Sequence, residues 1–318
     1  MKSGLLFCFG GLGDLLVALP SIGLLRKVFP EYFFSLICRA ESGRLLREAG
    51  VVDAVLSVDD SRWLPLFDEQ PQPPEDFRQW LSGVDFIVGW LQRETSRALM
   101  PKFLSWPVSN RHWIVYDPQS RIPVSRYFFD QTLALVRGRP GANATLEDCG
   151  RLPSLKKEGW ASGALEEAQR VTWPKTFAII HPGSGSEKKC WPFENFLEVL
   201  AILHQKGIGG FLVTGEAEAR MENEIQGSAL PPGWAWLRRP SLQRLARLLH
   251  EAEFYLGNDS GVTHLAAACG TPGLAVFRKD LEIAWRPYGR IDVLSDEDIS
   301  SVTVDSVRKA VSRRLQKK

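Results

Sequence analysis

Short apolar runs alternate along this chain with longer stretches whose apolar positions recur at helical spacing. In the first half the runs fall at residues 5–9, 33–38, 54–58 and 86–90. Between the first two, Leu15, Leu16, Leu19, Ile22 and Leu25 mark one face of a helix. Strands alternating with helices predict a parallel sheet covered on both faces. The pattern fades through turn-rich 140–143 and 152–154, a polar helix expected at about 161–170, and Trp173-Pro174, which together read as a link between domains. It restarts with a strand at 177–181 and a helix at 193–206. A strand at 210–214, a helix from about 217 and another at 242–251 follow. Next come a strand at 254–256, a helix at 260–269, a strand at 274–277 and an amphipathic helix at 304–315. No short internal repeat is present, only two similar α/β halves. Halves of this kind that face each other define a cleft, and ligands gather at the carboxyl ends of the strands.

The composition fits this picture. A chain of 318 residues is comfortable for two domains, and 44% apolar with 24% charged residues is the range of soluble globular chains. A net charge of +2 is too small to indicate a nucleic-acid surface. The basic run Arg313, Arg314, Lys317 and Lys318 reads as the solvated end of a helix. The cysteines, Cys8, Cys38, Cys149, Cys190 and Cys269, are odd in number, widely spaced and without a C-x-x-C pair. A disulfide framework or zinc site is therefore not expected, and a reducing cytosol is. The apolar start breaks at Gly10-Gly11 and reads as a first strand rather than a signal peptide. No stretch approaches the roughly 20 apolar residues of a membrane span, so any membrane contact is expected to be peripheral. Asn143-Ala144-Thr145 matches a glycosylation sequon that a cytosolic chain would leave unmodified.

Three segments carry candidate chemistry. In the first, Phe9-Gly10-Gly11-Leu12-Gly13-Asp14, glycines join a strand to a helix and permit close approach of the backbone to a ligand. The spacing is not G-x-G-x-x-G, and no acidic residue ends a second strand as a dinucleotide fold wants. Asp14 has two readings: an N-cap of the helix, or a carboxylate at the cleft that takes a proton from a hydroxyl. In the second segment, His181 to Pro192, small residues, exposed amides and two lysines make a cradle suited to a diphosphate. The third, Leu256 to Pro272, ends a strand in Asn258-Asp259-Ser260-Gly261 and starts a helix rich in small residues. Amides at such a helix start bind phosphate, Asp259 or Ser260 can cap it, and His264 lies one turn beyond Ser260. A lone histidine there is otherwise a hydrogen-bonded core residue.

Together these segments resemble glycosyltransferase family 9, the heptosyltransferases. The family's G-D, L-P and L-R appear as Gly13-Asp14, Leu19-Pro20 and Leu25-Arg26. Its H-P-G-S-G…K-x-W-P appears as His181–Gly185 with Lys189, Trp191 and Pro192, and its D-S/T-G-x-x-H-L-x-A-A-x-G-T-P as Asp259–Pro272. The resemblance implies an α/β GT-B fold, two Rossmann-like domains with parallel sheets facing an interdomain cleft. The first, 1–160, would bind the acceptor and the second, 171–318, the nucleotide sugar, with the final helix a candidate to pack back on the first.

The resemblance also implies inverting transfer of a sugar, a heptose in the first instance, from ADP-heptose to a lipopolysaccharide core acceptor, with no metal or other cofactor. Asp14 would be the catalytic base and Gly11, Leu12 and Gly13 the acceptor-side loop. Ser184, Gly185, Lys189, Asp259, Ser260, Gly261 and His264 would hold the donor and its diphosphate, and Glu216 or Glu218 would meet the ribose. The implied location is cytoplasmic, peripheral to the inner face of the cytoplasmic membrane, with a phosphorylated lipid-linked acceptor as partner. One departure stands out: where the family continues F-G-x-T-D-P, this chain reads Phe277-Arg278-Lys279-Asp280-Leu281-Glu282, so Arg278 is a further donor candidate.

Alternative readings are a GT-B nucleotide-sugar epimerase, a non-catalytic nucleotide-sugar binder suggested by the altered 278–282 loop, and, least supported, a dinucleotide oxidoreductase. Asp296-Glu297-Asp298 reads D-x-D but lies far from the motifs and is expected to be a solvated helix-start cluster. Trp63, Trp80, Trp90, Trp106 and Trp113, with Lys102, Arg111 and Arg121, are core or acceptor-contact candidates in the first half.

Overall fold

The structure, a computed structural model, describes residues 1–60, 75–93, 108, 110–155 and 176–316. The helix expected at 161–170 and residues Trp63, Lys102, Trp106, Trp173, Lys317 and Lys318 lie outside the described residues. The chain divides into two units, Met1–Pro153 and Ser154–Lys318.

In the first unit β1 (Ser3–Phe7) leads into α1 (Leu12–Val28), followed by β2 (Phe33–Cys38), α2 (Ala40–Glu48) and β3 (Ala54–Ser57). Then come α3 (Glu75–Ser82), β4 (Phe86–Leu91), β5 (Arg111–Val115), α4 (Val124–Leu135) and α5 (Leu146–Cys149). The strands form one sheet in the order β3-β2-β1-β4-β5, with every pairing parallel. The central strands are buried along most of their length, β4 at every residue. That is how strands covered on both faces read in sequence, as continuous apolar runs. Helix α1 is buried from Leu15 through Ile22, as a helix enclosed on most sides must be.

The second unit runs β6 (Phe177–His181), α6 (Phe193–Gln205), β7 (Gly209–Thr214), α7 (Glu222–Gly227), β8 (Trp234–Arg238) and α8 (Leu242–Glu251). It continues β9 (Phe254–Asn258), α9 (Gly261–Cys269), β10 (Gly273–Arg278), α10 (Lys279–Trp285), β11 (Ile291–Asp296) and α11 (Val304–Gln316). Its sheet is also parallel, in the order β11-β10-β9-β6-β7-β8. One core joins Trp191, Phe193 and Phe196 to Phe254, Leu256 and Val276, and includes Val307 and Val311 of α11, which anchor the final helix in this unit.

In each unit the chain first builds outward on one side of its opening strand and then returns to build on the other side. The reversal falls between β1 and β4 in the first unit and between β6 and β9 in the second. Because parallel crossovers are right-handed, the helices on the two sides cover opposite faces, and a crevice opens at the carboxyl ends of the two strands flanking the reversal.

Some expectations change. Strands β5, β8 and β11 do not stand out in the apolar pattern. The helix expected from 217 is instead a 3-10 turn, Ala219–Met221, followed by α7. Asp296 ends β11, and Asp298 caps the short 3-10 helix Ile299–Ser301 by accepting from the Ser300 amide, so the exposed D-x-D triplet is a strand end and a 3-10 cap ahead of the final helix. Trp90 is buried and hydrogen-bonded to Thr132, while Trp80 is exposed on α3.

Candidate active site

In the second unit β6 and β9 lie side by side, His181 in register with Gly257, and the segments leaving their carboxyl ends meet. The Ser184 hydroxyl donates to the Asp259 carbonyl at 2.6 Å. The Lys189 ammonium pairs with Asp259 Oδ2 at 2.8 Å. Asp259 is almost wholly buried and Lys189 about one third exposed, so the ion pair has one face in the fold and one toward solvent. Beneath it the Asn258 carboxamide accepts from the Trp191 amide at 3.1 Å and donates to the Pro182 carbonyl at 2.7 Å. Both bonds are buried, and leaving either group unpaired costs about 1–3 kcal/mol. Trp191 is buried to the last atom, its indole N–H on the Val302 carbonyl at 2.7 Å and its ring edge-on to Phe196.

Helix α9 starts from the same point. Ser260, extended in backbone, is its N-cap and accepts from the Thr263 amide at 3.3 Å. The Thr263 hydroxyl donates to the Asn258 carbonyl and meets the Tyr255 hydroxyl, which closes the turn from below. The first amides of a helix lack intrahelical partners, so Gly261 and its neighbour present donors beside Lys189. Of the two candidate caps, Ser260 fills the role, and Asp259 is taken by Lys189.

His264 is buried, and both its ring nitrogens lack a hydrogen-bond partner. It is therefore not the hydrogen-bonded core histidine that a lone histidine on such a helix suggests. Burial pulls its imidazole down to about 4, the Lys189 charge adds to this and the Asp259 charge opposes it. Trp285 packs edge-on to its ring at 6.3 Å. An unpaired buried polar group of this kind calls for a ligand or an ordered water.

The two glutamates after β7 separate. Glu216 is exposed. Glu218 is buried, accepts from the Gly215 amide at 2.6 Å and lies 3.7 Å from His181 Nε2. Burial alone would raise the Glu218 carboxyl, but the His181 imidazole and the amides of Gly215 and Glu218 outweigh it and hold the carboxyl below its ordinary value. A Cβ on Gly183 would fall 2.0 Å from the Glu218 side chain, so the loop needs glycine there. His181 Nδ1 faces Ser260 Oγ at 3.4 Å. Burial raises the Cys190 thiol to about 11, with the Glu218 charge adding to it.

Arg278, at the end of β10, grips Asp280 with two bonds of 3.1 and 2.9 Å. Two of the four residues that depart from the family's F-G-x-T-D-P pattern, Arg278 and Asp280, are thus partners.

In the first unit Asp14 is not an N-cap. Gly11 holds that position and Asp14 is the third residue of α1, its Oδ2 accepting from the Gly11 amide at 2.9 Å. The carboxylate lines a cavity of about 280 Å3 with Cys8, Phe9 and Gly10 after β1, Trp90, Leu91 and Gln92 at the end of β4, and Phe128. This is the reversal point of the first sheet. A Cβ on Gly10 would sit 2.2 Å from the Asp14 carboxyl carbon, so only glycine leaves the acid in place. Gly11, Leu12 and Gly13 form the start of the helix beside it. Burial raises the Cys8 thiol, and the Asp14 charge raises it further.

Asn258, within the third motif, is not marked by its sequence context as more than a turn residue. The signal was an amide side chain at a strand end, which such positions also use simply as a turn former. Among the described residues no group of three or more His, Cys, Asp or Glu side chains is placed to hold a metal ion, and no helix is long and apolar enough to cross a membrane.

The comparisons with known proteins agree with this architecture. The model of glycosyltransferase family 9 (heptosyltransferase) matches residues 116–306. Lipopolysaccharide heptosyltransferase 1 of Escherichia coli O18:K1:H7 is 21% identical over 96% of this chain and 96% of its own length. Lipopolysaccharide heptosyltransferase 3 of Escherichia coli is 32% identical over 36% of this chain, a match that spans 34% of that relative. The solved structure of E. coli ADP-heptose lps heptosyltransferase II has a TM-score of 0.70 at 18% identity and covers 99% of both chains. With two parallel α/β units of the GT-B kind and a family model covering most of its length, the chain is a glycosyltransferase and belongs to glycosyltransferase family 9, the heptosyltransferases.

Proposed function

We propose that the chain transfers a heptose from ADP-heptose to a lipopolysaccharide core acceptor with inversion, the second unit holding the donor and Asp14 of the first serving as base. The observation that carries this reading is the meeting of Ser184, Lys189, Asp259 and the start of α9 at the reversal point of the second sheet. A lysine, small-residue amides and a helix N-terminus converging on one point suit a diphosphate. The relatives' names supply the donor and acceptor classes.

Strand order supports a direction for the donor. Along the carboxyl edge the loops follow as β7 with Glu216 and Glu218, then β6 with Ser184 to Lys189, then β9 with Asp259 to Gly261, then β10 with Arg278. With the diphosphate on the middle pair, the nucleoside falls to the β7 side and the sugar to the β10 side. His264, kept neutral by burial, then has an N–H to offer the ligand. Asp14 is fixed through one oxygen by Gly11, so its other oxygen is free to take the acceptor's proton. A hydroxyl becomes a competent nucleophile as that proton leaves. The direct test is release of ADP from ADP-heptose with and without a lipopolysaccharide core acceptor. No release under either condition, with binding intact, would make the chain a nucleotide-sugar binder instead.

Asp14→Asn keeps the oxygen that caps Gly11, so the fold should persist while kcat falls by about 10²–10⁴ and donor KM changes little. Near-normal turnover would return Asp14 to a purely capping role. Lys189→Ala removes a charged contact and leaves Asp259 unpaired toward the diphosphate. ADP binding followed by calorimetry should weaken roughly 10–100-fold.

The Arg278–Asp280 pair yields a donor-panel experiment. Arg278→Gly and Asp280→Ala should each alter relative rates among sugar nucleotides, and the double variant should depart from the product of the singles, because paired residues couple. Unchanged relative rates would remove both from the site.

His264 predicts a pH dependence of stability. Its folded value of about 4 lies below the ordinary 6.5, so the unfolded chain binds the proton more readily between these pH values. Stability should be full above about pH 6.5 and fall toward pH 4, by about 3 kcal/mol for this group. His264→Gln should flatten that part of the slope in thermal unfolding scans from pH 7 to 4.5.

A further inference from the structure

We propose that Asn258 is the positioning residue of the donor site: its carboxamide holds both ends of the 183–190 segment in the shape that presents Lys189 and the loop amides to a diphosphate. This rests on the reading of that loop as the donor's diphosphate cradle. Asn258 is wholly buried, and its two bonds reach Pro182 at the start of the loop and Trp191 at its end. The other ties differ in kind. Ser184 and Lys189 attach the middle of the loop to Asp259. Glu187 meets Arg220 in a pair exposed by more than three quarters on both sides, and such a pair contributes little. Among the described residues Asn258 is thus the side chain that bonds both ends of the loop, the Trp191 indole on the Val302 carbonyl holding only the far one.

The chemistry requires an amide. The Pro182 carbonyl needs a donor and the Trp191 amide needs an acceptor, and a single planar group must supply both from one strand position. Aspartate has the same outline but, when ionised, two acceptors, one of which would face the Pro182 carbonyl. Its charge would also add to Asp259 next to the incoming diphosphate. Serine supplies one contact but lacks the reach for two. Asn258 touches no ligand in this scheme and acts through the loop.

Asn258→Asp is the sharp test, because protonation converts the carboxylate into an O–H donor and a carbonyl acceptor, the pattern of the amide. Calorimetry with ADP on wild type and variant at pH 8 and pH 5.5 reads it. The expected result is at least tenfold weaker ADP binding at pH 8. The ratio to wild type should close toward unity at pH 5.5, with kcat at saturating ADP-heptose within threefold of wild type throughout. A variant that binds ADP like the wild type at pH 8, or a deficit that does not change with pH, overturns the proposal. Asn258→Ser carries the test if the charged variant does not fold at pH 8: it should raise donor KM at least tenfold while kcat stays near wild type, and an equal fall in kcat overturns the positioning role. Failure of the wild type to bind ADP at all overturns the donor-site reading and this proposal with it, and is told apart because it appears before any substitution.

Discussion

Asn258 sits where β6 and β9 part, and its side chain bridges the gap between the segments that leave them. In a doubly wound sheet these neighbouring strands send their chains to opposite faces, so the backbone groups beside the crevice lose their ladder partners. Polar groups left unpaired there would be costly, and the sheet itself cannot supply partners. One buried carboxamide supplies two, and the arrangement above it follows. Trp191 is held by its amide as well as by its indole and Phe196, so α6 begins from a fixed point. With the loop ends set, Lys189 reaches the buried Asp259 carboxylate at 2.8 Å.

That ion pair has a particular energetic character. A buried carboxylate without a partner costs several kcal/mol, while a pair that keeps one face in solvent loses less hydration. Asp259 is buried and Lys189 only partly so. The lysine is thus held at the surface by a charge that lies within the fold. The loop presents a cation already oriented, at the start of a helix whose first amides lack intrahelical partners. His264 fits the same economy of charge. Burial outweighs the opposing Asp259 charge and the Lys189 charge adds to it, so the ring remains neutral and able to donate from one nitrogen.

The sequence revealed the interior of each sheet more readily than its edges. Strands β1, β2, β3, β4, β6, β7, β9 and β10 were visible as apolar runs, and all of these but the edge strand β3 lie inside a sheet. The three that went unseen, β5, β8 and β11, are all edge strands. Arg111 in β5, Arg238 in β8 and Asp292 in β11 show why: an edge strand is half-exposed and tolerates charge, which breaks the run. The site divides along a similar line. Residues with distinctive chemistry, Asp14, Lys189, Asp259 and Ser260, were legible from motif and type. Their partners were not, because a pairing such as Ser184 with Asp259 spans 75 positions and depends on strand order. The separation of Glu216 from Glu218 was likewise invisible, since two glutamates two positions apart differ only in what surrounds them.

The two units put the same local device to different ends. In each, an acid reaches back to the amide of a glycine three residues earlier, Asp14 to Gly11 at 2.9 Å and Glu218 to Gly215 at 2.6 Å. In each, a second glycine, Gly10 or Gly183, leaves room that any side chain would take from the acid. The surroundings then decide the outcome. Glu218 has His181 on its other side and is closed off from solvent, so its charge is spent in holding the loop against β6. Asp14 opens onto a cavity of about 280 Å3. The bond to Gly11 fixes its orientation through one oxygen and leaves a rigid carboxylate lining that cavity. Similar capping geometry therefore gives an enclosed acid where the neighbouring space is filled, and one open to a cavity where it is not.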